Sequence, residues 1–176
     1  MRRSVVTCTG TEFCKLAITE TRGRGREIVE YLEQRVPLEE PMRIHITGCS
    51  NSCAQMQIGN IGMMGAKMKV DGVLVDAYEF FIGGQLGQGM SFNDRDEFGK
   101  RRKSLAKIPA SDCKVRIEHL LMGYKKQRKP GEKFNDFCRR VGDDVVTKLL
   151  VEEEKSRVAV EDVASPPVPE VDGPVH

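Results

Sequence analysis

The sequence predicts an α+β fold in which an α/β-like mixed sheet is flanked by helices, and three patterns carry this prediction. Apolar and polar residues alternate over residues 42–46, as in a strand with one buried face. Asp71-Gly72 lies between two further strand-like stretches and is a strong signal for a tight β-hairpin. Residues 115–126 and 132–150 carry apolar side chains at helical spacing, which predicts a helical end to the fold.

The first helix is predicted from an apolar stripe that follows a segment rich in arginine and glycine. Ile28, Leu32 and Val36 recur four residues apart, and Pro37 then ends the helix because proline has no backbone N–H to donate. The alternating strand over residues 42–46 comes next.

A short helix is predicted after this strand ends at Gly48. Ser50 or Asn51 is a suitable capping residue for a helix that holds Cys53 in its first turn and continues through residues 54–57. Three glycines then break the helix, namely Gly59, Gly62 and Gly65.

The remaining elements follow the same logic. Residues 68–82 are predicted as strands on both sides of the hairpin turn, and the glycine-rich residues 83–89 as a loop. Two helices complete the fold, with apolar positions at Ile117, Leu120, Leu121 and Tyr124 in the first and at Phe134, Phe137, Cys138, Val141, Val145 and Leu149 in the second.

The predicted organisation is one folded domain over residues 1–150 and a disordered tail over residues 151–176. A length of 176 residues fits a single domain or part of a larger one. Seven acidic and two basic side chains lie in residues 152–176, and the tail is rich in proline. Because the whole chain has a net charge of +2, the rest of it carries +7.

Composition excludes several classes of protein. With 39% hydrophobic and 31% charged residues, the chain is neither a collagen, nor a coiled coil, nor mostly disordered. It has no apolar run of about 18 residues, as a membrane span requires, and no signal-peptide core. We therefore expect a cytoplasmic protein, in which clustered cysteines are more often metal ligands than disulfides.

Four of the six cysteines form two close pairs and are the candidate metal ligands. Five residues separate Cys8 from Cys14, and three separate Cys49 from Cys53. Four thiolates hold either zinc or an iron-sulfur cluster, and the wide first spacing favours a cluster without excluding zinc. In the predicted helix, the second pair would face one way across a turn, where the helix dipole favours thiolates. Four buried free thiols are the alternative without metal, which the polar and glycine-rich surroundings disfavour.

The segments around both pairs form a longer signature. They read Thr7-Cys8-Thr9-Gly10-Thr11-Glu12-Phe13-Cys14, Ala17-Ile18-Thr19-Glu20-Thr21-Arg22, Thr47-Gly48-Cys49-Ser50-Asn51-Ser52-Cys53-Ala54-Gln55 and Ile58-Gly59-Asn60-Ile61-Gly62. This signature resembles that of the nitrite and sulfite reductases that carry siroheme coupled to a 4Fe-4S cluster, and of these the ferredoxin-dependent type. The similarity continues through Phe81-Ile82-Gly83-Gly84 and, more loosely, to about Val146.

The resemblance implies a role for each cysteine of the two pairs. Cys8, Cys14, Cys49 and Cys53 would hold the 4Fe-4S cluster, and the Cys53 thiolate would also bridge to the siroheme iron. Backbone groups near Asn51 and Gln55 would donate to the sulfurs and tune the cluster potential. The implied reaction is the six-electron reduction of nitrite to ammonia or of sulfite to sulfide, and we favour nitrite.

The resemblance covers only the C-terminal half of the family's members. The arginines and lysines that bind the substrate anion belong largely to the N-terminal half, so no catalytic residue is assigned here. We expect a truncated product, an alternative start or one subunit of a split enzyme, whose partner chain carries the N-terminal half. The face left uncovered would promote association.

Several other side chains have both a functional and a structural interpretation. His45 would either act beside the cofactor or serve only the fold. Cys113 and Cys138 are expected to be core thiols. Three arginines would pair with siroheme carboxylates or form a solvated helix start, and four methionines would line a cofactor wall or simply pack. They are Arg22, Arg24 and Arg26, and Met56, Met63, Met64 and Met68.

The basic surface of the folded part is a candidate docking site for an acidic ferredoxin-like donor. The basic residues are Lys100, Arg101, Arg102, Lys103, Lys125, Lys126, Arg128 and Lys129. Nucleic acid is the rival partner, but no binding motif or aromatic platform accompanies the charge, and we expect neither nucleic acid nor membrane as a partner.

Two other functions remain open, namely a non-catalytic 4Fe-4S electron-transfer module and a four-cysteine zinc-binding interaction domain.

Overall fold

The computed structural model describes residues 4–37, 40–85 and 104–152. The predicted tail from residue 153 onward and the predicted basic cluster at residues 100–103 lie outside these ranges. In chain order, the helices and strands of the described residues are β1 (Val5–Thr7), α1 (Arg22–Arg35), β2 (Ile44–Thr47), β3 (Ile61–Val70), β4 (Val73–Ile82), β5 (Ala106–Pro109), α2 (Cys113–Gln127) and α3 (Phe134–Val151).

The five strands form one mixed sheet in the order β1-β2-β3-β4-β5. The first three strands run parallel to one another, whereas β3 pairs with β4, and β4 with β5, in antiparallel fashion. α1 lies between β1 and β2 in the chain, and α2 and α3 follow β5; the three helices pack against the sheet, which confirms the predicted α+β fold with a mixed sheet and flanking helices.

One face of the sheet forms the main core with the three helices. The strand register aligns Ile44 with Ile61 and Ile82, and Ile46 with Met63 and Phe80, so that these side chains share a face. Each such buried side chain contributes about 1.5–3 kcal/mol of transfer free energy. The helices contribute Ile28 and Leu32 from α1, Ile117, Leu120, Leu121 and Tyr124 from α2, and Phe134, Phe137 and Cys138 from α3.

The opposite face of the sheet is covered by the chain segment between β2 and β3. Met56 from this segment forms a second, smaller buried cluster with Met64 and Phe81. All four residues of β2 are buried, so the prediction of a half-buried strand was wrong. The alternation itself is correct, but the polar side faces a covering loop and not water.

The predicted helices and hairpin are present. α1 begins earlier than its apolar stripe, because the Glu20 carboxylate accepts the N–H groups of Gly23 at 2.8 Å and Arg24 at 3.0 Å. Asp71 and Gly72 connect β3 and β4 with φ angles of 49° and 83°, as a type I′ turn requires. Cys113 and Cys138 are buried, in agreement with their prediction as core thiols.

Some local elements were predicted wrongly and others were missed. Turns and a 3-10 helix at Met56–Ile58 occupy the segment where an α-helix was expected after Gly48, and Gly62 and Gly65 lie inside β3. β1 and β5 were not predicted. Gly142, at φ 80° and ψ 170°, interrupts α3.

Of the helices described, none has the length and apolar content of a membrane span.

Candidate functional site

The topology of the sheet places the starts of the two cysteine loops side by side. Cys8 directly follows β1, and Cys49 follows β2 after one intervening residue. Because β1 and β2 are parallel neighbours, both cysteines leave the sheet at the same edge. The Cys8 N–H donates to the Ile46 carbonyl at 3.0 Å, which extends the strand pairing up to the first cysteine.

Gly48 connects the two cysteine loops. Its N–H donates to the Cys8 Sγ at 3.1 Å, and its carbonyl accepts the N–H groups of Ile18 at 2.7 Å and Thr19 at 3.3 Å. A Cβ at Gly48 would lie 2.9 Å from the Thr19 carbonyl oxygen, so a side chain here would push the loops apart. A Cβ at Gly65 would overlap the Gly48 carbonyl from the other side.

The first cysteine loop is fixed by backbone turns and by one buried hydroxyl. A 3-10 turn at Gly10–Glu12 carries the chain to Cys14, whose N–H donates to the Gly10 carbonyl at 3.0 Å. The Thr21 hydroxyl donates to the Cys8 carbonyl at 2.6 Å and lies 3.7 Å from the Cys8 Sγ. Burial raises the pKa of the Cys8 thiol, but the N–H groups of Gly48 and Gly10 and the hydroxyls of Thr21 and Thr47 together hold this pKa below its usual value.

Two of the three arginines that were candidates for siroheme carboxylates are paired within the chain. Arg22 lies 3.3 Å from the Glu12 carboxylate and its guanidinium stacks 5.5 Å from the centre of the Phe13 ring, so it braces the first loop. Arg24 pairs with a glutamate of its own helix. Arg26 is exposed. A role for these arginines toward siroheme stays a prediction.

The second cysteine loop is a series of turns. Ser52 and Gln55 adopt φ angles of 54° and 51°, in the left-handed region that interrupts an α-helix, and Cys53 lies between them. The expected helical turn that would align Cys49 with Cys53 is therefore absent from this segment. Cys49 is buried, whereas Cys53 is exposed.

His45, Thr47 and Met56 hold the second loop against the sheet. The His45 Nδ1 lies 2.7 Å from the Ala54 carbonyl oxygen, and the Thr47 hydroxyl donates to the Cys49 carbonyl at 3.3 Å. Met56 is fully buried. Asn51 and Gln55, which were predicted to tune the cluster, are exposed on the same loop.

Sequence reasoning did not identify Thr21, Gly48 and Gly65 as residues that shape the site. Thr21 lies in the Glu-Thr-Arg segment, and that motif was the available signal. The two glycines act through close backbone approach between distant segments, which a single sequence does not display.

The four thiols fit an iron-sulfur cluster in their chemistry and in the placement of their loops. Two adjacent loops carry them, and the Gly48 N–H aimed at the Cys8 sulfur is the kind of donor that stabilises a thiolate ligand. Within residues 4–37, 40–85 and 104–152, no three His, Cys, Asp or Glu side chains lie close enough together to hold one metal ion. Cys113 and Cys138 belong to the helical core, where burial raises the pKa of both thiols, that of Cys113 to about 12.

The sequence matches the nitrite and sulphite reductase 4Fe-4S domain over residues 1–158, and the chain belongs to this family. It is similar to a ferredoxin-nitrite reductase of Leptolyngbya laminosa, with 37% identity over 68% of this chain and 22% of the relative. It is also similar to a ferredoxin-dependent sulfite reductase of Mycolicibacterium paratuberculosis, with 33% identity over 81% of this chain and 26% of the relative.

The solved structure of the Mycobacterium tuberculosis NirA protein has the same fold. It superposes with a TM-score of 0.70 at 31% identity, over 82% of this chain and 26% of that one. The chain thus spans about a quarter of the length of the relatives it matches. The family and these oxidoreductase relatives imply the two cofactors predicted from the sequence, a 4Fe-4S cluster and siroheme.

Proposed function

We propose that this chain supplies the 4Fe-4S site of a ferredoxin-dependent nitrite or sulfite reductase, with Cys8, Cys14, Cys49 and Cys53 as the cluster ligands. The contact at Gly48 carries this proposal, because it joins the two cysteine loops and aims an N–H at the Cys8 sulfur. Donors to ligand sulfurs stabilise the negative charge of a cluster and tune its potential.

The exposed thiol of Cys53 supports its proposed role as the bridge to the siroheme iron. Of the four thiols it is the one most open to a group from outside the described residues. The backbone near Asn51 and Gln55 would donate to sulfur at this exposed end of the site. Siroheme would supply the iron at which nitrite is reduced to ammonia, or sulfite to sulfide, by six electrons.

The substrate and the partners belong to the same proposal. We favour nitrite over sulfite, a ferredoxin-like electron donor, and a separate chain that carries the N-terminal half with its substrate-binding arginines and lysines. A second candidate is a 4Fe-4S electron-transfer module without turnover, because the contacts that join the two cysteine loops lie within this chain.

Cofactor content tests the proposal directly. We expect the full chain, purified under nitrogen, to contain about four iron and four acid-labile sulfide per chain, with the visible absorption of a cluster. Cys14→Ala should lose this content, whereas the matched variant Cys138→Ala should keep it. Zinc without sulfide would reject the cluster and favour the zinc-binding alternative.

Turnover separates the two candidates. The cluster-loaded and siroheme-loaded chain, combined with the N-terminal half of a relative, should reduce nitrite faster than sulfite with reduced ferredoxin as donor. A clear preference for sulfite would overturn our choice of substrate. A loaded pair without either activity would support the electron-transfer module.

A further inference from the structure

We propose that His45 is a positioning residue that fixes the turn carrying Cys53; this inference rests on the proposed function of Cys53. The His45 Nδ1 lies 2.7 Å from the Ala54 carbonyl oxygen and 3.1 Å from the Gln55 carbonyl oxygen. Both partners follow Cys53 directly in the chain. One side chain of the sheet therefore holds the two peptide groups that come after the exposed cysteine.

The chemistry of the contact determines the proton position. Carbonyl oxygens only accept hydrogen bonds, so the His45 Nδ1 carries the hydrogen and donates it to both of them. His45 is 6% exposed and lies in β2, with β1 on one side and β3 on the other. Water therefore has little access to replace this donor if it is removed.

The turn itself needs external support. Ser52 and Gln55 both have positive φ angles, in a region that residues other than glycine populate sparsely, and Cys53 lies between them. The surrounding structure must hold this backbone, and His45 is the buried side chain whose ring reaches the turn from the sheet.

The imidazole ring is itself held in place. A Cβ added at Gly59 would lie 3.1 Å from both the Cβ and the Cδ2 of His45, so the backbone at Gly59 packs closely on the ring. A Cβ at Gly62 would overlap the Met56 carbonyl, so the chain just after the turn lies directly on β3. The ring has a fixed position from which its Nδ1 reaches both carbonyls.

Two amide substitutions test the position of the donor. Asn places its NH2 group near the position of Nδ1, whereas Gln places the same group one carbon further, near the position of Nε2. We expect His45→Gln and His45→Leu to raise amide hydrogen exchange over residues 53–58 of the metal-free full chain about tenfold, the equivalent of one net hydrogen bond. His45→Asn should restore the wild-type rates.

The loaded chain gives the second measurement. We expect His45→Gln to release iron to a chelator about tenfold faster than wild type and to alter the EPR signal of the reduced cluster, and His45→Asn to reverse both changes. Equal exchange and equal iron release in the Asn and Gln variants would overturn the proposal. A wild-type chain that holds no iron, while exchange still follows the donor position, would reject the proposed function and leave the role of His45 in the turn intact.

Discussion

Gly65 is a position where one added methyl group should disturb both cysteine loops. A Cβ at Gly65 would overlap the Thr19 hydroxyl and the Gly48 carbonyl. That carbonyl accepts the N–H groups of Ile18 and Thr19, and the N–H of Gly48 donates to the Cys8 sulfur. Gly65→Ala therefore has to displace the peptide that joins the two loops.

The expected loss of stability follows from three contributions. Overpacking by one methyl group costs about 1–3 kcal/mol. Weakening the two hydrogen bonds to the Gly48 carbonyl costs about 1 kcal/mol each. The lower entropy of the unfolded alanine variant offsets about 0.4–1 kcal/mol. We expect a net loss of about 2–4 kcal/mol in the free energy of unfolding.

Urea unfolding of the metal-free full chain, followed by circular dichroism, measures this loss, and iron analysis after reconstitution measures its effect on the site. Gly123→Ala is the matched control, because its Cβ would meet the flexible Leu149 side chain at 2.6 Å, between α2 and α3 and away from the two cysteine loops. The control should keep its iron. A Gly65→Ala chain with wild-type stability and full iron content would refute the reasoning.

Three further predictions concern polar side chains. Burial raises the pKa of Tyr78 and of Tyr124 to about 12, so the neutral phenols stabilise the fold below pH 10, and this stabilisation should disappear between pH 10 and 12. Absorbance at 295 nm should show these two phenolates only as the pH approaches 12, and their formation near pH 10 in the folded chain would contradict the prediction. Thr21→Val should cost about 1–3 kcal/mol in urea unfolding because it leaves the partly buried Cys8 carbonyl without the Thr21 hydroxyl as its donor, and Thr21→Ser should not. Glu20→Ala should cost about 1 kcal/mol because it removes the carboxylate that accepts the N–H groups of Gly23 and Arg24 in the first turn of α1, whereas Glu20→Asp should cost less; unchanged stability in Glu20→Ala would contradict the prediction.

The sequence predicted correctly those elements whose conformation depends on residues that are close together in the chain. The hairpin depends on two adjacent residues that tolerate positive φ, Asp71 and Gly72, and any chain segment that contains them carries the same signal. The stripe of Ile28 and Leu32 likewise fixes the buried side of α1 without reference to other elements. Boundaries were less certain, since the start of α1 depends on the side chain of Glu20, which precedes the stripe.

The errors have nonlocal causes. A strand with His45 on its polar side has the same alternating pattern whether that side faces water or a covering loop. Residues 50–57 have an acceptable helix cap, yet the segment forms turns and the start of a 3-10 helix. In this conformation Met56 packs in the second buried cluster, with Met64 and Phe81. Local propensity is a weak prior, and tertiary contacts overrode it here.

The candidate site shows the same division between local and nonlocal information. The spacing of the cysteines and their surrounding motifs were sufficient to predict an iron-sulfur site and the family of the chain, because residue types and their spacing can be read directly from the sequence. The approach of the two loops was not predictable, because it depends on β1 and β2 being parallel neighbours and on glycines that meet at a distance in sequence. The residues that organise the two cysteine loops are therefore Gly48, Gly65, Thr21 and His45. Variants of these four test the proposed site more sharply than variants of the four proposed ligands, because loss of a ligand would remove zinc and iron alike.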